Sequence, residues 1–346
     1  MRKLVLIALL LECYVLCNAQ IVSNVTAYQQ GKNIVIEYDL STESQVGVSV
    51  SLNNGSYTSM SDVSGDVNKK VSAGHRQIIW DVLSQYDKFY FDNVRFKVEE
   101  SSNYTETAFG INMKMIWVDG GDFLMGCTSE QGNDCEDDEK NVRRVTVDGF
   151  YIGMLEVTQS QWEKVMGTSI YKQRNKAKSK VSMPGVGSNY PMYYVSWDEA
   201  MEFCRLLSNK TGKTYVLPTE AQWEFVARGG KKSDGKKYAG SSWIDAVAWY
   251  RENSSLSTHV CGSKRANALG IYDMSGNVWE WCKDWYTDSY MSYDTKNPTG
   301  PSSGNYRVCR GGSWWYDASN CRVANREWDA PLKRVNNLGF RVVCIP

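Results

Sequence analysis

Histidine is nearly absent from the 346-residue chain, which carries only His75 and His259. That excludes a metal centre built from several histidines, and with no nucleophile motif near His259 it argues against Ser-His-Asp hydrolysis. The ten cysteines include no C-x-x-C pair, so a zinc knuckle has no ligand set. Neither sign of charge is in excess: Lys plus Arg and Asp plus Glu both number 39, and nothing draws the chain as a whole to nucleic acid. No apolar run is long enough to span a bilayer. Gly229-Gly230 and Gly311-Gly312 are not followed by Lys-Ser/Thr in helix-opening register, so there is no phosphate loop. Phenylalanine is scarce, nine against 13 tryptophans and 21 tyrosines. Aromatics with polar tips suit clefts and irregular, loop-rich cores.

What is present divides along the chain. Residues 1–19 read as a secretory signal peptide, with Arg2 and Lys3 before the apolar run Leu4 to Leu11 and Cys17-Asn18-Ala19 before Gln20. Glu12 before Cys13 and Leu16 before Cys17 argue against a lipid anchor, where a small residue would precede the cysteine. The expected location is secreted or periplasmic, where thiols oxidise. The five N-x-S/T sites, at Asn24, Asn54, Asn103, Asn209 and Asn253, matter only in a glycosylating source. Eight cysteines remain after cleavage, and Cys127 and Cys135, close together in one polar loop, are expected to form a disulfide.

Residues 20–105 carry β-type segments at Asn33–Asp39, Val46–Leu52, Gln77–Asp81 and Val94–Val98, separated by Gly, Asn and Ser. This pattern predicts a small all-β immunoglobulin- or fibronectin-like sandwich, with His75 in a solvated turn. From 111 to 346 the texture changes to long connections and short helices. Thr158-x-x-Gln161, Ser196-x-x-Glu199 and Thr219-x-x-Gln222 are capping boxes that open helices ending near Met166, Ser208 and Gly229-Gly230. On the second, Trp197, Ala200, Cys204 and Leu207 share a face, which points Cys204 into the core.

Two stretches have the residue types of a site. Arg310 to Arg326 concentrates Gly311, Gly312, Ser313, Trp314, Trp315, Tyr316, Cys321, Asn325 and Arg326. Flat rings beside polar groups can line a pocket, or simply pack as core. Asn267–Asp273 with Ser275–Glu280 places Asp273, Asn277 and Glu280 around glycine turns, a set of hard oxygen donors suited to Ca²⁺ or else a pair of Asx turns. The acidic run Asp134–Glu139 lacks the glycine and spacing of an EF-hand and reads as a solvated loop.

Residues about 115 to 343 closely resemble the formylglycine-generating enzyme, or sulfatase-modifying factor, family. The matching blocks are Gly120–Gly126, Phe150–Gln159, Pro191–Ala200, Leu217–Glu224, Gly276–Trp281, Arg310–Ser313 and Asn337–Arg341, in order over about two thirds of the chain. The resemblance implies an α+β, C-type-lectin-like fold with little regular secondary structure and bound Ca²⁺. It assigns the calcium ligands to Glu280 and the backbone from Ser275 to Val278, and it suggests a Cys204–Cys344 disulfide.

Family members that make formylglycine oxidise a sulfatase cysteine with O₂, using copper on two thiolates. The second thiolate position matches Cys321, but the first falls on Tyr316, and Asp317 stands where the enzyme has histidine. A phenol is no soft Cu(I) ligand, so the copper site and formylglycine synthesis are expected to be lost. Cys282 could replace the missing thiolate or form a disulfide with Cys321. Relatives with a multi-histidine iron site are no closer match, given two histidines.

The leading expectation is a secreted binding or scaffolding protein. Its ligand would be a peptide, a glycan or an envelope protein, and its contacts would be Trp281, Ser313, Trp314, Trp315, Tyr316, Asn325, Arg326 and Trp328. The rival is a copper oxidase rebuilt on Cys321 and Cys282. A third reading makes the β-sandwich the functional module.

Overall fold

The computed structural model describes residues 21–346 apart from 54, 56, 61–62, 68–69, 83–92, 101–102, 182 and 291–294. The expected signal peptide and its two cysteines lie outside the described residues. The chain forms two compact units, one ending at Thr105 and the other beginning at Glu106.

In the first unit, Val22–Gln30, Asn33–Leu40, Gly74–Asp81 and Val63–Gly65 are neighbours in one antiparallel sheet. Ser44–Leu52 lies between two short strands in another and also pairs with Val94–Glu100. Alternation turns Ile34, Ile36, Tyr38 and Leu40 inward, where they share one core with Val46, Val48, Val50 and Trp80. The strand Val22–Gln30 has no clear apolar period because it is a half-exposed edge. His75 stands within a strand rather than in a turn, and its Nδ1 lies 2.8 Å from the Asp39 carboxylate.

Among the described residues the second unit has four short α-helices: α1 Gln159–Met166, α2 Ile170–Lys176, α3 Trp197–Thr211 and α4 Glu220–Ala227. Three begin with the expected capping boxes, and Gly167 (φ 64°) and Gly212 (φ 73°) end α1 and α3 in the left-handed region. α3 therefore runs three residues past Ser208. α2, capped by Ser169, has no apolar stripe in its sequence to announce it. One sheet orders Thr214–Val216, Val343–Ile345, Phe150–Gly153 and Met113–Val118; another orders Arg326–Asp329, Arg307–Arg310, Trp279–Trp285 and Leu338–Gly339. The result is a mixed α and β unit with few helices and much ordered loop.

Buried ion pairs tie the loops to this frame. Arg310 meets Glu224 of α4, Arg326 forks onto Glu220 at 2.7 and 3.0 Å, and Arg322 forks onto Glu139 at 2.6 Å through each nitrogen. The acidic run is therefore not simply solvated: Glu139 is fully buried, and Asp138 accepts from Tyr286. Both carboxylates help hold the segment from Arg310 to Arg326.

Cys127 and Cys135 form the expected disulfide. The Cys204–Cys344 bridge is absent. Cys204 is a thiol on the buried face of α3, and Cys344 directs its S–H to the Ile345 carbonyl from a strand position opposite Tyr151 and Tyr215. Cys282 and Cys321 are not bridged either, because each packs in a different apolar cluster.

Candidate functional site

The site is built on the turn after Arg310. Gly311 (φ 102°) and Gly312 (φ 76°) take conformations that disfavour other residues, and a Cβ on Gly312 would lie 2.6 Å from the Cys321 sulfur. The turn thus folds back over Cys321. Trp314 is buried behind it, donating its backbone N–H to the Asn277 carbonyl at 2.8 Å and its indole N–H to the Asn336 carbonyl at 3.3 Å. Trp315 packs edge-on against Trp314, with ring centroids 5.4 Å apart, and is 53% exposed.

Tyr316 is half-buried, its ring edge-on to Trp279 at 5.5 Å. Burial raises its phenol pKa, and the nearby carboxylates of Glu327 and Asp329 raise it further. An exposed ion pair between Arg251 and Asp317, 3.4 Å apart, flanks this surface. Trp315 and Tyr316 are therefore the accessible rings of the segment, next to acidic groups. Arg251, Glu327 and Asp329 escaped sequence reasoning because they come from other parts of the chain.

The remaining expected contacts are placed elsewhere. Ser313 is fully buried and accepts from the Asn337 amide at 3.4 Å. Trp281 is also fully buried, with its indole N–H on the Val195 carbonyl at 2.9 Å. Asn325 donates to Glu139, and Arg326 is committed to Glu220. These four support the fold. Trp328 is 41% exposed but packs on Tyr306, with ring centroids 4.1 Å apart. Strand alternation puts it on the opposite face from Glu327 and Asp329, away from Tyr316.

The donor set does not fit copper on two thiolates. Burial pushes the Cys321 thiol up to about 12, and Cys282 is raised well above its usual range, again chiefly by burial. The two stand in separate clusters, and Tyr316 provides no second sulfur.

The four residues expected to hold calcium are engaged with protein groups, and three of them converge on Glu156. Glu280 accepts from Arg341 Nη2 at 2.6 Å and Nε at 2.7 Å, and from the Trp223 indole at 2.7 Å. Asn277 Oδ1 takes the His259 N–H, and Val278 gives its N–H to Glu156. Asp273 instead gathers with Glu156 and Cys261, their ligand atoms lying within 4.8 Å of one another. Burial, then Asp273 and Glu280, hold the Glu156 carboxyl well above the usual carboxylate range. Two carboxylates and a thiol, with the Arg341 charge nearby, are a poor calcium cage. Glu156 and Cys261, 105 residues apart, carried no shared signal in the sequence.

Comparison with known proteins agrees with the order of the motifs. The family described as sulfatase-modifying factor enzyme 1-like domain matches residues 101–345. The formylglycine-generating enzyme of Mus musculus is 30% identical over 284 residues, an alignment covering 66% of this chain and 74% of that protein. The chaperone protein LppX of Paenibacillus barcinonensis is 32% identical over 260 residues, covering 61% and 81%. Among solved structures, Treponema denticola variable protein 1 matches with a TM-score of 0.61 and 30% identity, covering 71% of this chain and 99% of its own. The relatives thus bear diverse names on a shared fold. With a family match over well more than half its length, this chain belongs to the sulfatase-modifying factor family.

Proposed function

We propose that the chain is a secreted or periplasmic, ligand-binding member of this family, without copper-dependent formylglycine synthesis. The observation that carries the reading is the pairing of Tyr316, at the family's first thiolate position, with a Cys321 thiol that is fully buried and protonated at neutral pH. Binding is assigned to the surface of Trp315 and Tyr316, with Arg251 and Asp317 at its rim. An exposed indole beside carboxylates suits a glycan or a peptide. We also infer a lectin-like topology for the second unit and an immunoglobulin- or fibronectin-like sandwich for the first.

The test is titration of the mature protein with Cu(I) against a competing chelator, alongside an assay for O₂-dependent oxidation of a sulfatase-type cysteine peptide. Neither tight copper binding nor oxidation is expected. Oxidation abolished by Cys321→Ser and by Cys282→Ser would establish the rival oxidase. A glycan and peptide array probed with the native chain and with Trp315→Ala tests the binding arm, which predicts signals that the variant loses.

A further inference from the structure

Although the chain as a whole is neutral, one short stretch is basic throughout. Residues 171–180 contain Lys172, Arg174, Lys176, Lys178 and Lys180 and no acidic residue. They form most of α2 and the turn after it, and this segment faces residues 332–336 across an open groove of about 510 Å³. Lys176, Lys180, Lys333 and Arg334 all line the groove.

The cations fall into two kinds. Glu199, at the start of α3, holds Lys176 at 2.8 Å and Arg334 at 2.9 Å, so these two are fixed parts of the wall. Lys180 and Lys333 are exposed and form no ion pair among the described residues. Glu199 is the carboxylate paired with the lining cations, and Asp329 lies within electrostatic reach of Lys333. That leaves the four lining cations in excess, with two exposed ammonium groups outside any ion pair among the described residues. Its rim is apolar: Leu332 is 67% exposed and Val181 58%.

We propose that this groove binds an acidic peptide segment of a partner protein. The charge complementarity asks for at least two carboxylates, spaced to reach Lys180 and Lys333. Leu332 and Val181 ask for an apolar side chain between them, which a small inorganic anion lacks and a sulfated glycan does not supply. The groove backs onto the aromatic turn through the bond from Trp314 to the Asn336 carbonyl. The inference rests on the groove alone and stands apart from the fate of the copper site.

The experiment measures fluorescence anisotropy of a labelled peptide alternating glutamate with leucine, added to the full mature chain. Controls replace glutamate by lysine or leucine by serine. The expected result is binding of the Glu-Leu peptide, weakened by high salt and at least about tenfold by Lys180→Glu with Lys333→Glu. Leu332→Ser should cost about threefold with the Glu-Leu peptide and nothing with the Glu-Ser control. Both lysines are exposed, so thermal melts of the variants should match the parent. If the double variant does not fold, the salt dependence and Leu332→Ser carry the test on their own. Absence of binding, binding unmoved by charge reversal, or a heparin-like polymer that binds more tightly and ignores Leu332→Ser would each overturn the proposal.

Discussion

At the scale of single residues, the strongest constraints are buried charges with one oppositely charged partner among the described residues. Arg341 is fully buried against Glu280, so Arg341→Leu strands a carboxylate in the core and should cost roughly 3–5 kcal/mol. Chemical denaturation checks the loss, and a double variant with Glu280→Gln should recover part of it. Asp284 gives a pH signature. Burial, then Glu220, push its carboxyl up to about 8, against an ordinary value below about 4. Between those values the folded chain keeps a proton that the unfolded chain releases, so stability falls as pH rises through the window. Asp284→Asn removes that slope. Its melting temperature should gain on the parent's between pH 4 and pH 9, and a constant difference would refute the assignment. Gly312→Ala should destabilise by about 1–3 kcal/mol, since the added carbon meets both a left-handed φ and the Cys321 sulfur.

At the scale of elements, the capping boxes are the features most legible in the sequence. Thr158, Ser196 and Thr219 each accept from a backbone N–H three residues on, a contact local enough to be read from spacing. Ser196→Ala should therefore cost about 1 kcal/mol, measured by urea titration. Here Glu199 adds a second duty, because it also secures Lys176 and Arg334 at the groove. Helix α2 was not legible: it is short, cation-rich and held by Ile170 and Gln173 beneath other segments. Trp281 looked like a cleft wall for the opposite reason. An aromatic residue type does not reveal which face of the strand Trp279–Trp285 turns inward, and almost the whole strand proves to be buried.

At the scale of the molecule, two units with separate cores predict separable unfolding. Differential scanning calorimetry should resolve two transitions, and Cys127→Ser with Cys135→Ser should lower only that of the second unit, by about 2 kcal/mol. Thiol reagents should leave Cys204, Cys282 and Cys321 unmodified until that unit unfolds, since each is buried and raised in pKa by its burial. Rapid labelling of Cys321 in the native state would contradict its placement beneath Gly312.

The sequence by itself determined what depends on near neighbours and on ordered motifs. These include the family, the caps, the strand segments of the first unit and the Cys127–Cys135 bridge. Tertiary structure decided which of the conspicuous side chains remain accessible. It buried Ser313, Trp281, Asn325 and Arg326, separated Cys282 from Cys321, and gathered Glu156, Cys261 and Asp273 from distant positions. The physical reason is that burial and charge pairing are set by what packs against a residue, and in this loop-rich unit those partners commonly lie tens to hundreds of residues away.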